Sequence, residues 1–450
     1  MVGCERVAQI DWQVSARGNG ISTPHRPGTM GPSFRTLSIT LNMTRYVSHL
    51  EGGIDGARLP VDELQTLHKD RPILVRYDLA AVGRALTKEK LRDREQTMWR
   101  YRELLPYADA RNIVSLGERM SPVLACPRLG SQLGLSNLFI KDESQLPTGS
   151  FKSRGLAMAI TLAKQFGVKR IALPTAGNAG GAAAAYAARA GMECYVFMPE
   201  DTPAINQYEC ALAGAKTFLV NGLINDCGRL VREGKAAMNW FDLSTLKEPY
   251  RIEGKKTMGL ELAEQFDWQL PDVILYPTGG GTGLIGMWKA FQELRELGWL
   301  TTATMPRMVS VQSTGCSPIV RAFEKGERFA EPFPNAATQA SGIRVPVAVG
   351  DFLILDAVRQ SNGTAIAVDE NQIQRALHQS VAAEGIPICP ESAACVLAAE
   401  QLLASGWLKR EERVVLFNTG AAQKYVEAIR SELPRLDKNQ AIDWARFASV

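Results

Sequence analysis

The sequence predicts an α/β protein whose parallel sheets carry helices on both faces. From residue 167 onward, short runs rich in apolar and β-branched residues alternate with longer amphipathic runs. The loops after three of the expected strands, at 174–181, 277–283 and 418–422, are rich in glycine, small residues and hydroxyls. The chain has 450 residues, which is more than a single hydrophobic core usually supports, so we expect at least two lobes. With 46% hydrophobic residues, the chain has enough apolar side chains to fill them.

The alternation can be followed element by element. The expected elements are strands at 169–175, 192–201, 216–222, 272–278, 305–312 and 413–423 and helices at 178–191, 202–215 and 279–298. Strands that alternate with helices in this way form parallel βαβ units. Ligands of such sheets bind beyond the carboxyl ends of the strands. The glycine-rich loops are therefore the segments in which we expect a functional site.

Two terminal regions differ from this pattern. Residues 1–42 are rich in Gly, Ser, Thr, Pro and Arg and show no periodic apolar face, which predicts a disordered leader. A transit peptide has a similar composition. However, the segment that begins at Met43 resembles a translation start, which favours the interpretation that residues 1–42 result from a start site placed too far upstream. We expect an N-terminal segment at 43–110, a two-lobed main domain at 111–430 and a C-terminal tail at 431–450.

Charge and cysteine usage disfavour several function classes. The net charge of +4 comes from 51 basic and 47 acidic residues that are interspersed, so no basic stripe for nucleic acid or anionic membrane is present. No apolar run reaches the length of a membrane span. The 8 cysteines form no CxxC pair and the 4 histidines form no ligand cluster, so we expect no metal site and a cytoplasmic, reducing compartment.

A glycine loop at 279–283 has two functional interpretations. Residues 281–286, GTGLIG, match the dinucleotide pattern G-x-G-x-x-G, but the next strand ends in Gln312 without the acidic residue that holds a ribose. The consecutive glycines still allow backbone N–H groups to surround a phosphate at a helix N-terminus. A tight turn without a ligand is the plainer alternative.

Lys152 lies in the segment PTGSFKSRG, between small and hydroxylated residues that enter a helix. A lysine in a small-residue pocket is desolvated, which lowers its pKa and leaves a nucleophilic amine. A phosphate cradle together with a separate activated lysine favours pyridoxal phosphate, whose aldehyde condenses with a lysine amine.

Four segments in the same order carry a specific resemblance. They are KDESQLPTGSFKSRG at 141–155, PTAGNAGGAAAAYAARAG at 174–191, PTGGGTGLIG at 277–286 and VVLFNTGAAQKY at 414–425. They resemble the lysine, asparagine, phosphate and pyridine-nitrogen segments of the tryptophan-synthase-β-like family of pyridoxal-phosphate enzymes, which have fold type II. Flanking segments such as RYDLAAV, SLGERMSP and VQSTGCSPIVRAFEKG are most similar to the threonine synthases.

The resemblance implies a fold of two parallel-sheet lobes with an N-terminal extension, and it implies roles for particular residues. Lys152 forms the Schiff base and then moves protons at Cα, Asn178 bonds the phenolic oxygen, and Thr419 meets the ring nitrogen. The implied phosphate-binding residues are Gly279, Gly280, Gly281, Thr282 and Gly283. A hydroxyl does not keep the ring nitrogen protonated, which suits eliminations and replacements.

Substrate contacts are expected from four further residues. Thr175 is a candidate for the substrate carboxylate, and Ser150 for support behind the site. Arg154 is a candidate for a substrate phosphate, with a structural salt bridge as the alternative. Arg119 stands where the family has glycine in GEG-x-TP, so it either blocks the substrate or supplies a new anion contact.

Other departures concern the N-terminal segment and the helix after residue 389. Similar threonine synthases carry a cysteine-rich zinc segment before RYDL, but residues 49–79 contain no cysteine, so we expect no zinc there. Ser121 replaces the threonine of GEG-x-TP, and Ser392 stands where the family has glycine in PEGAA.

The activity implied by the resemblance is the conversion of O-phosphohomoserine and water to threonine and phosphate. A serine or threonine ammonia-lyase is the alternative enzyme, since it shares the first chemical steps but needs no second anion site. A non-catalytic relative that binds the cofactor or a partner is the third hypothesis. The resemblance also suggests a homodimer.

Overall fold

The computed structural model describes residues 46–429, 433, 435–442, 444 and 445. The leader expected at 1–42 lies outside these residues, as do parts of the tail expected at 431–450. Within the described residues, no helix is both long enough and apolar enough to cross a membrane.

The strands and helices alternate through most of the described chain. The strands are β1 Val47–Gly52, β2 Arg58–Leu59, β3 Ile73–Tyr77, β4 Val123–Ala125, β5 Asn137–Asp142, β6 Arg170–Pro174, β7 Glu193–Pro199, β8 Lys216–Val220, β9 Phe241–Asp242, β10 Val273–Pro277, β11 Arg307–Ser313, β12 Thr364–Val368 and β13 Arg413–Asn418. The helices are α1 Leu79–Ala85, α2 Lys88–Arg92, α3 Pro127–Leu133, α4 Lys152–Gln165, α5 Asn178–Ala190, α6 Ala204–Leu212, α7 Ile224–Met238, α8 Tyr250–Gln265, α9 Thr282–Glu296, α10 Pro318–Glu324, α11 Asp351–Gln360, α12 Ile373–Glu384 and α13 Pro390–Ala404. Each strand and helix expected from the sequence is present.

Two sheets form the two lobes that the sequence predicts. The larger sheet has the order β12-β11-β10-β13-β5-β4, and the smaller has the order β8-β7-β6-β9. Neighbouring strands are parallel throughout the smaller sheet and in the larger one from β12 to β5. The short edge strand β4 is antiparallel to β5, which the sequence reasoning did not anticipate. The N-terminal extension forms a separate antiparallel sheet, β2-β1-β3.

The centre of the larger sheet is buried on both faces. All five residues of β10 are buried, as its near-continuous apolar sequence VILYP requires of a central parallel strand. Helices α8 and α9 pack over this region and share a buried ion-pair cluster. Lys256 Nζ lies 2.7 Å from Glu253 and 2.9 Å from Glu293, so the helices are joined by charge as well as by apolar contact.

Candidate active site

Lys152 is the first residue of α4, and the turn before it is tightly constrained. Thr148 and Gly149 both have left-handed backbone conformations, with φ of 62° and 64°. The Phe151 N–H donates to the Thr419 carbonyl at 3.1 Å, and the Ala421 N–H donates to the Gly149 carbonyl at 2.9 Å. These bonds hold the lysine segment against the carboxyl end of β13, where ligands of such sheets bind.

One cavity of about 520 Å³ opens at the carboxyl ends of β6, β10 and β13. It brings together residues that the sequence places far apart. The predicted residues that line it are Lys152, Thr175, Asn178, Gly279, Gly280, Gly281, Thr282, Gly283 and Thr419. The cavity therefore joins the lysine, the asparagine loop, the glycine loop and the threonine of the last strand.

The amine of Lys152 is poised for nucleophilic chemistry. Burial, together with the nearby charge of Arg251, lowers the pKa of Lys152 to about 8, although the charge of Glu391 acts in the opposite direction. A decrease from 10.5 to about 8 increases the neutral fraction of the amine near pH 7 by about 300-fold. The neutral amine is the form that attacks a carbonyl carbon.

The glycine loop has no room for side chains. A Cβ at Gly279 would lie 2.8 Å from the Gly342 carbonyl, and one at Gly280 would lie 2.7 Å from a Thr245 methyl. A Cβ at Gly283 would overlap the hydroxyl of Tyr276. Gly281 has a φ of 76° and precedes the 15-residue helix α9. The backbone N–H groups at this helix start can therefore approach an anion closely.

Asn178 and Thr419 occupy two other walls of the cavity. Asn178 begins α5, and its Nδ2 lies 3.0 Å from the Tyr425 hydroxyl, while its buried Oδ1 has no hydrogen-bond partner. Thr419 follows β13, and its backbone N–H donates to Ser392 Oγ at 3.1 Å. The thiol of Cys389 lies 3.6 Å from Thr419 Oγ1.

These residues fit pyridoxal phosphate. The cavity holds a partly neutral lysine amine, a glycine loop at a helix N-terminus and a hydroxyl near the end of the last strand. The orphaned oxygen of Asn178 shows that its amide is not fully satisfied by the protein alone. The sequence pattern of the family described as pyridoxal-phosphate dependent enzyme matches residues 114–420. The chain belongs to this enzyme family.

Relatives of this pyridoxal-phosphate-dependent enzyme give a more specific likeness. Threonine synthase of Methanocaldococcus jannaschii is 35% identical over 353 residues, which cover 78% of this chain and 86% of the relative. Threonine synthase of Mycobacterium bovis is 32% identical over 335 residues, which cover 74% of this chain and 90% of the relative. Both alignments include most of each chain.

Solved structures show the same fold at lower identity. Maize serine racemase aligns with a TM-score of 0.58 and 21% identity, covering 68% of this chain and 88% of that one. Diaminopropionate ammonia lyase of Escherichia coli aligns with a TM-score of 0.59 and 20% identity, covering 71% and 90%. At 20–21% sequence identity, these alignments show a shared fold and nothing more specific.

The structure corrects the substrate hypothesis for Arg154. Its guanidinium is fully buried and donates to Glu143 at 2.6 Å and 3.0 Å and to Glu261 at 2.5 Å and 2.7 Å. It does not line the cavity. Its remaining donor contacts go to the hydroxyls of Thr257 and Ser121, so Arg154 forms the structural salt bridge that was the alternative.

Two further substrate hypotheses are corrected, and one stays open. Arg119 is exposed and does not line the cavity. Thr175 lines the cavity, but its hydroxyl donates to the Gly177 carbonyl at 2.8 Å and accepts from the N–H groups of Gly177 and Gly180. It therefore shapes the asparagine loop from within. Ser150 is fully buried and its hydroxyl has no partner, so its supporting role remains a hypothesis.

Sequence reasoning missed several polar residues at or near the cavity, of which three bear on its chemistry most directly. Glu391 and Tyr425 line it, and Arg251 lies close enough for its charge to lower the pKa of Lys152. Two of them had a signal in segments already identified. Glu391 precedes Ser392 in PESAA, and Tyr425 ends the segment VVLFNTGAAQKY. Arg251 had no such signal, since it lies inside the long helix α8.

Proposed function

We propose that this enzyme is a threonine synthase, which converts O-phosphohomoserine and water to threonine and phosphate. The curated relatives that align over most of the chain carry this name. The cavity supports the proposal because it offers an activated lysine, a glycine loop at a helix start and a further lining cation, Lys247. All residues assigned below fall within 111–430, the range expected for the main domain.

Each predicted cofactor residue has a proposed task. When bound, pyridoxal phosphate supplies an aldehyde and an electron-accepting ring. Lys152 holds it covalently and then moves protons at the substrate Cα and Cβ. Asn178 bonds the phenolic oxygen, Thr419 meets the ring nitrogen, and residues 279–283 hold the phosphate. A hydroxyl such as that of Thr419 would not keep the ring nitrogen protonated, which would disfavour competing transamination.

Arg251 is the observation that carries the choice of substrate. Its side chain is 1% exposed, and its Nε and Nη2 have no hydrogen-bond partner. Nη1 donates to the Leu243 carbonyl at 2.8 Å, which fixes the guanidinium. Arg251 does not itself line the cavity and pairs with Glu248 at 4.0 Å, but its charge reaches the reactive lysine and favours an anionic substrate group nearby. An ammonia-lyase that acts on serine would not need it.

Lys247 strengthens this second anion site. It lines the cavity, and its amine lies 3.2 Å from Asp242. The carboxylate holds the amine along one wall of the cavity. We therefore assign the γ-phosphate of O-phosphohomoserine to the side of the cavity that Lys247 lines, with the charge of Arg251 in support.

The first experiment is product analysis by NMR after the cofactor-loaded enzyme is incubated with O-phosphohomoserine, serine or threonine. Equimolar threonine and phosphate from O-phosphohomoserine are expected. A keto acid from serine or threonine, without turnover of O-phosphohomoserine, would instead identify an ammonia-lyase.

The Lys247→Met variant tests the second anion site. We expect the KM for O-phosphohomoserine to rise about 10-fold, because one charge-assisted hydrogen bond contributes about 1.5 kcal/mol. Arg170→Met, which removes a surface cation on β6, is the control and should leave KM unchanged. An unchanged KM in Lys247→Met would remove the γ-phosphate from this side of the cavity.

Compartment and assembly are part of the proposal. All seven cysteines that the structure describes are buried free thiols, which supports a reducing compartment such as the cytoplasm. We also propose a homodimer, as the resemblance suggests. Analytical ultracentrifugation of the cofactor-loaded enzyme would measure the assembly directly.

A further inference from the structure

Glu391 is an acidic side chain in the cavity to which none of the roles above applies. It lies in the first turn of α13 and is 2% exposed. Oε1 accepts a hydrogen bond from the Gly342 N–H at 2.7 Å, which anchors the carboxyl group. Oε2 is buried and accepts no hydrogen bond of normal length and angle. A buried carboxyl oxygen in this situation either carries a proton or faces a ligand.

The surroundings of Glu391 make both of its protonation states accessible. Burial raises the pKa of the carboxyl group above its ordinary value. The Cys389 thiol, two backbone N–H groups and the Tyr425 hydroxyl favour the carboxylate and limit this rise. The N-terminus of the 15-residue helix α13 also favours negative charge. A carboxyl group whose pKa is subject to these opposing effects is suited to donating and accepting a proton.

Glu391 also shares the cavity with the lysine that carries the first chemical steps. The charge of Glu391 raises the pKa of Lys152, which places the two groups in electrostatic contact. Glu391 reaches the cavity from α13 and Lys152 reaches it from α4, so they approach a bound substrate from different elements. Two acid–base groups can therefore act on one substrate without exchanging places.

The proposed reaction needs more proton transfers than one lysine conveniently supplies. Lys152 takes protons from Cα and Cβ, gives one to the departing phosphate and returns one to Cα. Two proton transfers remain, one at Cγ and one at the water that adds at Cβ. Cγ must gain a proton to become a methyl group, and the water that adds at Cβ must lose one. The acid for the first transfer becomes the base for the second.

We propose that Glu391 is a second catalytic acid–base residue, which protonates Cγ and then accepts a proton from the water that adds at Cβ. The inference rests on the proposed function. The electron pair of the Cβ–Cγ double bond forms the new C–H bond with the proton of Glu391, while the pair left at Cα when its proton was removed moves to form a Cα–Cβ double bond. The water oxygen then supplies the electron pair of the C–O bond at Cβ, and the pair displaced from the Cα–Cβ double bond binds the proton that Lys152 returns. One water proton restores Glu391, and the other remains in the product hydroxyl.

The Glu391→Gln variant separates these transfers from the earlier steps. Glutamine preserves the acceptor for the Gly342 N–H but cannot exchange a proton. We expect an unchanged visible absorbance band of the lysine-bound cofactor and continued release of phosphate. Threonine should fall about 100-fold relative to phosphate, within the usual contribution of general acid–base catalysis. 2-Aminobut-3-enoate, which forms when Lys152 returns a proton to Cα of the unsaturated unit left after phosphate departs, should replace it.

A control and a rescue complete the test. Glu400→Gln changes a partly exposed glutamate on the same helix and should keep threonine equimolar with phosphate. Glu391→Ala should lose threonine and regain it on addition of formate, a carboxylate small enough for the space vacated. Equimolar threonine and phosphate from Glu391→Gln, or no effect of formate on Glu391→Ala, would overturn the role of Glu391 while the proposed function stands. Absence of any turnover in the unmodified enzyme would overturn both.

Discussion

Replacing Arg154 with methionine tests whether this arginine holds the structure together. The guanidinium donates to both oxygens of Glu143 and both oxygens of Glu261, and all three side chains are fully buried. Methionine fills much of the same volume but leaves Glu143 without its cation. Lys141 still lies 3.0 Å from Glu261 and neutralises it in part. The free energy of unfolding should therefore fall by about 3 kcal/mol, at the lower end of the range for a broken buried pair.

Urea denaturation of the cofactor-loaded protein measures this loss. Arg170→Met is the matched control, because its ion pair with Glu193 is partly exposed, and its midpoint should hardly move. Adding Glu143→Gln to Arg154→Met should recover part of the stability, since no unpaired buried charge remains. A midpoint equal to that of the control, together with a raised KM for O-phosphohomoserine, would refute the structural role and restore the substrate hypothesis.

Three further predictions concern the cofactor. Lys152→Ala should abolish the visible absorbance band of the lysine-bound cofactor, whereas Lys164→Ala, an exposed lysine on the same helix, should keep it. Gly283→Ala should weaken retention of pyridoxal phosphate at least about 10-fold, since a Cβ there has no room, whereas Gly83→Ala should retain it. The apo protein should take up pyridoxal phosphate faster as pH rises, with half-maximal rate near pH 8, because the neutral amine of Lys152 is the reactive form. Arg251→Met should move that midpoint upward, since the charge of Arg251 lowers the pKa of Lys152.

Residues of the candidate site that follow strands were easier to predict from the sequence than those that lie inside helices. Asn178 and Thr419 lie just beyond β6 and β13, and the carboxyl ends of parallel strands share one edge of a sheet. Their meeting follows from the order of strands and loops alone. Arg251 lies within α8, where a single sequence gives no sign of which polar side chain turns inward. Glu391 lies near the start of α13, in a segment that was identified only for Ser392.

Arg154 shows why proximity along the chain misled the sequence reasoning. It follows Lys152 by two residues, so both were placed in one site. Both lie in α4, where residues two apart point about 200° away from each other. If Lys152 faces the cavity, Arg154 must face the opposite side, and there it meets Glu143 and Glu261. The start of the helix had to be known before this could be inferred.

Asn178 and Tyr425 show how the protein prepares a contact that it does not itself complete. Nδ2 of Asn178 lies 3.0 Å from the tyrosine hydroxyl, and Oδ1 is buried without a partner. Because Nδ2 is the donor in this contact, the single O–H proton of Tyr425 remains free for another acceptor. Tyr425 also favours the carboxylate of Glu391, so one hydroxyl connects the cofactor contact with the proposed acid–base residue.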